Sequence, residues 1–528
     1  MSEKQERFAP ETVIKRDEID RYCDGGRDFI RDDEIRAELA ANARPDAARV
    51  RDILQKSLAI QTLSGPEVAA LLAVDDPELL AEMAQAAWDV KHKVYDNRIV
   101  TFAPMYISSY CMNRCRYCGF SLDNHKEKRR CLSMDEIRRE AEAMIRIGHK
   151  RVMAVYGEHP MTGARFIADS LAAIYSAEVP GRVPGSRNQV RRINVNAAPL
   201  CIDDLKVVHE AGIGTFQVFQ ETYDHKVYSE MHPADTVKGD FGWRLTCFHR
   251  AFDAGIDDVG LGVLFGLQPD WKYEVAAMCT HARELERFVG IGPHTFSVPR
   301  MHAASGSEVA NAKSSFTDDD FFKAVMVLRL AVPYTGLIVT ARETKELRDR
   351  CLRIGCTQMD AGTRIDIGGY SAGNREQKID EQQFMLGDSR SLEQMIVDLA
   401  RQGVITSFCT AGYRCGRTGG CIMDALKTGK EGTFCKINAV LTFREWLDDF
   451  ASPERSPSAR RSSRRSSPRS RSSTPSSTRR SRSATTASAR ASATSISNPR
   501  NSRWNTSSTR SRHAAFSTTG PTPASTTC

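Results

Sequence analysis

A chain of 528 residues, 41 % hydrophobic and 8 % aromatic, has length for roughly two to four domains and enough apolar side chains for a sizeable core, which excludes a wholly disordered protein. Its net charge of +8 is uneven: residues 451–528 hold 15 Arg, no Lys and the single acid Glu454, or +14, which leaves −6 for residues 1–450 and argues against a nucleic-acid surface there. Fifteen cysteines, a polar start (MSEKQERFAPETVIKRDEID) and the lack of any run of about 18 apolar residues argue against a secreted disulfide framework and a membrane span, and point to a reducing compartment, cytoplasmic or organellar.

Residues 1–92 are predicted to be helical. DAARVRDILQKSLAIQTLSGPEVAALLA and DPELLAEMAQAAWDVKHKVY carry apolar residues at helical spacing, and Ser64-Gly65-Pro66 and Asp76-Pro77 are start signals. From residue 98 short β-like runs recur, most separated by helical segments: RIVTFAPMYI (98–107), RVMAVYGE (151–158), RINVNAAP (192–199), TFQVFQETY (215–223), DVGLGVLFG (258–266), HTFSVPRMH (294–302), GLIVTARE (336–343) and TQMDAGTR (357–364). Eight strands alternating with helices predict an α/β fold, a parallel (βα)8 barrel over residues 93–370. Most runs carry their apolar residues toward the start and polar or Gly-containing residues toward the end, so the polar ends should converge on one mouth. Residues 371–450 form a further domain, rich in Gly and Cys between 403 and 435, that closes with the helix-like TFREWLDDF. The tail, 451–528, is Ser, Arg, Thr, Ala and Pro with almost no aliphatic residues and is expected to be disordered. Its 15 Arg without one Lys also suggest a frameshifted reading frame.

The segment SSYCMNRCRYCGF sets Cys111, Cys115 and Cys118 just after the first strand. Three thiolates in one loop can hold three corners of a 4Fe–4S cubane and leave the fourth iron open. An open iron can chelate the amino and carboxylate groups of S-adenosylmethionine (SAM) and pass an electron to its sulfonium, which breaks a C–S bond and yields a carbon radical. The bland alternative is a structural zinc site or buried free thiols, but zinc normally takes four ligands and no fourth Cys or His follows closely. Tyr117 before the last cysteine, with Gly-Phe after it, matches the cysteine pattern of radical SAM enzymes. At other strand ends, Gly157 and Glu158 could receive the SAM ammonium, Glu221 adds a polar group at the mouth, and Val263 and Phe265 could line an adenine pocket. A strand-end Glu is more often a surface or capping residue, and a strand Val or Phe is more often core.

Further runs carry a closer resemblance: NRIVTFAPMYISSYCMNRCRYCGF, RRINVNAA, GIGTFQVFQETY, GIDDVGLGVLFGL, GPHTFSVPRM, RLAVPYTGLI, DAGTRIDIGGY and SFCTAGYRCGRTG. In this order, over about residues 30–450, the sequence resembles the HydG family, the tyrosine lyases that mature FeFe-hydrogenase. The related 2-iminoacetate synthase of thiamine biosynthesis shares the tyrosine-cleaving barrel but lacks the Cys-bearing C-terminal extension. The resemblance implies that a 5′-deoxyadenosyl radical takes a hydrogen from the amino group of L-tyrosine, and that the Cα–Cβ bond then breaks to give p-cresol and dehydroglycine. It further implies that dehydroglycine yields CO and cyanide at a second iron–sulfur cluster with an extra iron, and that the partners are a reductant such as ferredoxin or flavodoxin and other hydrogenase maturation factors.

Carried over residue by residue, Cys111, Cys115 and Cys118 match the SAM-cluster ligands, and His294 matches the histidine on the extra iron. Without the resemblance His294 reads as a strand-cap histidine. Arg342 and Arg364, at late strand ends, are candidates for holding the tyrosine carboxylate, which suits a guanidinium fork. The second-cluster pattern is Cys-x2-Cys-x22-Cys. Cys409 and Cys435 match its first and third positions, while Gly412 stands at the middle one and cannot ligate. Cys415 is the nearest stand-in, with Cys421 a further neighbour, and Asp224 replaces the family's usual His. Three other readings stand beside this one: 2-iminoacetate synthase, a degenerate iron–sulfur protein without second-cluster activity, and an RNA-associated protein acting through the tail.

Overall fold

Each of the eight β-like runs yields one strand: β1 (Arg98–Ser108), β2 (Arg151–Tyr156), β3 (Arg192–Asn196), β4 (Phe216–Gln217), β5 (Val259–Gly262), β6 (Thr295–Ser297), β7 (Gly336–Val339) and β8 (Gln358–Asp360). In this computed structural model, which describes residues 9–452 except 313, 374–376, 379, 411–417 and 429–430, neighbouring strands pair in parallel and β8 closes on β1 through Val100↔Gln358, Thr101↔Met359 and Phe102↔Asp360. The protein is therefore a closed eight-stranded βα barrel. All eleven residues of β1 are buried, as a strand covered on both faces requires. Most strands stop short of the runs that predicted them. The polar ends leave the ladder and become the loops of the C-terminal mouth.

A ninth parallel strand, β9 (Ile405–Ser407), was not expected. It pairs with the first three residues of β1 (Arg98↔Ile405, Ile99↔Thr406, Val100↔Ser407) and so sits at the opposite, N-terminal rim. The helix Glu431–Asp449 packs over it.

The N-terminal segment forms the helices Asp32–Ala41, Ala47–Leu58, Gly65–Ala73 and Pro77–Tyr95. Ser64 and Glu67 make a capping box at the third, and Asp76 caps the fourth by accepting from the amides of Glu78 and Leu79. These helices dock on the barrel: Ser57 Oγ donates to Leu330 O at 2.9 Å and Tyr95 Oη to Tyr334 O at 2.6 Å. One hydrophobic core runs from Ile30 through the barrel to Ala451. The chain divides into two units, Met1–Ser466 and Ser467–Cys528, and every described residue belongs to the first. The expected disorder of 451–528 thus falls, but for Ala451 and Ser452, outside the described residues. Among those described, no helix is long and apolar enough to cross a membrane.

Candidate active site

Beyond Ser108 the chain enters the loop that carries Cys111, Cys115 and Cys118. Arg129 ties it together, donating to Ser109 O (2.6 Å), Phe120 O (2.8 Å) and Ser121 O. The loop is also clipped to the end of β2: Met112 N–H donates to Glu158 O (2.8 Å), and Asn113 Nδ2 to the Glu158 carboxylate (2.5 Å). Gly157 permits this approach, because a Cβ there would stand 2.3 Å from Tyr110 O and 3.3 Å from Cys111 Cβ. Tyr117 Oη meets His232 Nε2 at 2.9 Å, which fixes the far side of the loop.

All three thiols line one cavity at the C-terminal mouth, with about 1480 Å³ of empty space that opens to solvent. Gly157, Glu158, Glu221 and Arg342 line it too. Among the described residues, no three Cys, His, Asp or Glu side chains converge on a point that would hold one metal ion. A cubane spreads its ligands over separate irons, so three thiols around a cavity suit a cluster better than a single zinc. Burial pushes the Cys111 thiol up and the Cys115 thiol up to about 12, so metal loading must displace protons.

Glu221 sits at φ +73°, in the left-handed region that a side chain rarely adopts. Its carboxylate lies 2.7 Å from Lys238 Nζ and 3.6 Å from Arg244 Nη2. Burial alone would raise this carboxyl, and the two cations hold it below its ordinary range. Among the described residues Asn113 is the one side chain that hydrogen-bonds Glu158, and burial raises it. Arg342 is enclosed in the cavity wall, its guanidinium carbon 3.4 Å from the centre of the Phe384 ring, and burial lowers it. Among the described residues no carboxylate lies within ion-pair distance of it.

Other expected residues lie elsewhere. Arg364 does not line the cavity. Thr363 and Ile365 do, while Arg364 lies toward Tyr370, 6.0 Å from its ring centre. Val263 and Phe265 also miss it: Val263 pairs with the Glu221 backbone, and Phe265 stacks on Phe316 at 5.0 Å. Leu264 between them faces the cavity. Lys238, Arg244, Arg129 and His302 were not picked out from the sequence, because no local motif separates them from surface charges.

His294 opens β6 and so lies at the N-terminal rim, opposite the three cysteines. Its Nδ1 stands 3.3 Å from Asp258 Oδ2. Arg192, the first residue of β3, reaches Asp258 Oδ2 at 3.3 Å and Cys409 Sγ at 3.6 Å. Cys409 follows β9, and Cys435 is buried on the helix Glu431–Asp449, which packs over β9. Gly412 and Cys415 lie outside the described residues, and Cys421 is on the helix Gly419–Lys427. His294, Cys409 and Cys435 therefore share one end of the barrel and Cys111, Cys115 and Cys118 the other.

The radical SAM superfamily model matches residues 105–277, and the biotin and thiamin synthesis associated domain matches 297–405. Barrel, cysteine loop and family match together make the protein a radical SAM enzyme. A crystal structure of HydG, a maturase of the FeFe-hydrogenase, is 39 % identical, with a TM-score of 0.78, 83 % of this chain and 93 % of that one being covered. HydG of Carboxydothermus hydrogenoformans is 35 % identical, with a TM-score of 0.69 and coverage of 82 % and 92 %. The chain belongs to the HydG family. It is also 27 % identical over 372 residues to 2-iminoacetate synthase of Salmonella typhimurium, covering 70 % of this chain and 92 % of the relative.

Proposed function

We propose that the protein cleaves the Cα–Cβ bond of L-tyrosine to p-cresol and dehydroglycine, in the service of CO and cyanide ligand synthesis for FeFe-hydrogenase. The observation that carries this reading is one cavity lined by both the cysteine trio and the part-buried Arg342, which has no carboxylate partner among the described residues. Cys111, Cys115 and Cys118 would hold a 4Fe–4S cluster. With SAM and an electron from a ferredoxin or flavodoxin, that cluster supplies a carbon-centred radical. Gly157 and Glu158 lie beside Cys111, where the amino group of SAM would meet a carboxyl. Glu221, held ionised by Lys238 and Arg244, keeps those cations fixed in the wall. Arg342 binds the substrate carboxylate, and Phe384 stacked on it restricts the guanidinium to one orientation. At the other rim His294, Cys409 and Cys435, with Cys415 in place of a cysteine at 412, are the residues that would hold a second cluster with an extra iron.

The second reading is 2-iminoacetate synthase, favoured by the 27 % identical relative. Anaerobic reconstitution with SAM, L-tyrosine and reductant separates them. The proposal expects 5′-deoxyadenosine and p-cresol, both lost in Cys115→Ala. SAM cleavage that survives in that variant refutes the cluster assignment. Both readings give dehydroglycine, which is 2-iminoacetate, so the Gly412→Cys variant decides between them: CO and cyanide release from it favours the maturase, and 2-iminoacetate without either favours the synthase.

A further inference from the structure

The cavity that Arg342 lines also carries His302 in its wall. Its Nε2 stands 3.5 Å from Oε1 of Glu343. Both atoms are buried and neither makes a hydrogen bond among the described residues, so the contact is an ion-pair approach without full alignment. Glu343 is fully buried, and its other oxygen is gripped by Arg300 through Nε (2.9 Å) and Nη2. Arg300 also pairs with Asp318 at 2.7 Å. Burial works against the Glu343 carboxylate, and His302 and Arg300 hold it ionised nonetheless. An anion fixed behind one ring nitrogen orients an imidazole. His302 is part-exposed and lines the cavity.

Resting on the tyrosine lyase reading, we propose that His302, oriented by Glu343, is the base that takes a proton from the substrate's ammonium group. The position follows from Arg342. It precedes Glu343 in the chain, and its Nη1 approaches Arg300 O at 3.5 Å, two residues from His302. Arg342 and His302 line the same cavity, so a tyrosine whose carboxylate meets Arg342 carries its ammonium group, on the next carbon, into the space that His302 also lines. The chemistry needs such a base, because free tyrosine arrives as an ammonium ion and hydrogen-atom removal from nitrogen requires the neutral amine. The imidazole nitrogen forms the new N–H bond, one ammonium N–H bond breaks, and its electron pair stays on the substrate nitrogen. The imidazolium so formed faces Glu343. Among the described residues, Arg300, with Asp318 beyond it, and Arg342 are charged groups near this pair. Glu343 touches no substrate and is a positioning residue.

The test uses reconstituted holoenzyme and His302→Gln, His302→Ala and Glu343→Gln. For His302→Gln the p-cresol kcat at neutral pH should fall about a hundredfold, with KM for tyrosine within threefold, and recover as pH rises toward the range where tyrosine's own amine is neutral. The tyrosine Kd measured without reductant should stay within threefold. Added imidazole should restore turnover in His302→Ala, and Glu343→Gln should show a smaller loss with a shifted pH profile. An unchanged kcat in both His302 variants, or a loss confined to KM and Kd, overturns the proposal. Wild-type enzyme that cleaves SAM but makes no p-cresol overturns the tyrosine lyase reading itself.

Discussion

Gly157 and Gly412 both concern a missing side chain, with opposite consequences. At Gly157 the absence of a Cβ lets the cysteine loop lie against the end of β2, and any larger residue would meet Tyr110 O at 2.3 Å. At Gly412 the absence removes a thiolate from the pattern that Cys409 and Cys435 otherwise match. The two cysteine groups lie at opposite ends of the barrel, so the chemistry at each can fail separately. We predict that p-cresol forms while CO release and hydrogenase maturation are weak or absent. Gly412→Cys should raise CO output several-fold and leave p-cresol nearly unchanged, as read by CO trapping and product chromatography of the same reaction. Full CO output from the unmodified protein would contradict this, and its loss in Cys415→Ala would identify Cys415 as the replacement ligand.

Between residue and barrel stand the elements that hold the mouth. The helix His225–Met231 follows Glu221 closely, and the chain then runs on to Lys238, which returns to pair with Glu221. His225, at its first turn, bridges to Asp28 (3.0 Å) and Asp32 (2.9 Å), where the N-terminal segment begins its helix Asp32–Ala41. Burial would lower His225, but hydrogen bonds and charge from the two aspartates raise it to about 9. A histidine whose folded pKa lies above its unfolded value of about 6.5 stabilises the fold fully below that value, and the contribution disappears as pH rises through about 9. The imidazole is partly exposed, so solvent screening keeps the effect modest. Thermal unfolding of wild type should lose on the order of a few degrees between pH 6.5 and 9 relative to His225→Gln. Parallel curves for the two proteins would show that the clamp contributes nothing.

At the scale of the molecule, the barrel separates two chemical ends. One carries the cysteine trio, and the other gathers Arg192, Asp258, His294 and Cys409 at the starts of β3, β5 and β6 and after β9. The helical segment before the barrel and the helix after it share its hydrophobic core, which reaches Ala451. Residues 453–528 offer almost no aliphatic side chains that could extend that core. A chain ending at Ser452 should therefore unfold within about 2 °C of the full-length protein, on the scale of a small free-energy change, and cleave SAM at the same rate. A large drop in melting temperature would show that the tail docks.

Much of this was legible in one dimension. Eight apolar runs ending in polar residues specify a barrel, because parallel strands covered on both faces need continuous hydrophobic stretches. Cys111, Cys115 and Cys118 are legible because their ligand geometry is local to one loop. Which end of a strand a residue occupies, and which way it points, was not. His294 lies within a predicted run, yet it belongs to the N-terminal rim because β6 starts just after it. Arg364 misses the cavity that Thr363 and Ile365 face, since neighbouring side chains point to opposite sides of an extended chain. Lys238, Arg244 and the pair of His302 with Glu343 join the site only after long excursions of chain fold back onto the mouth. The sequence alone determined the barrel and the cysteine loop, because hydrophobic period and motif spacing act over a few residues. The tertiary structure decided which charges meet in the cavity, because burial and pairing depend on contacts far apart in the chain.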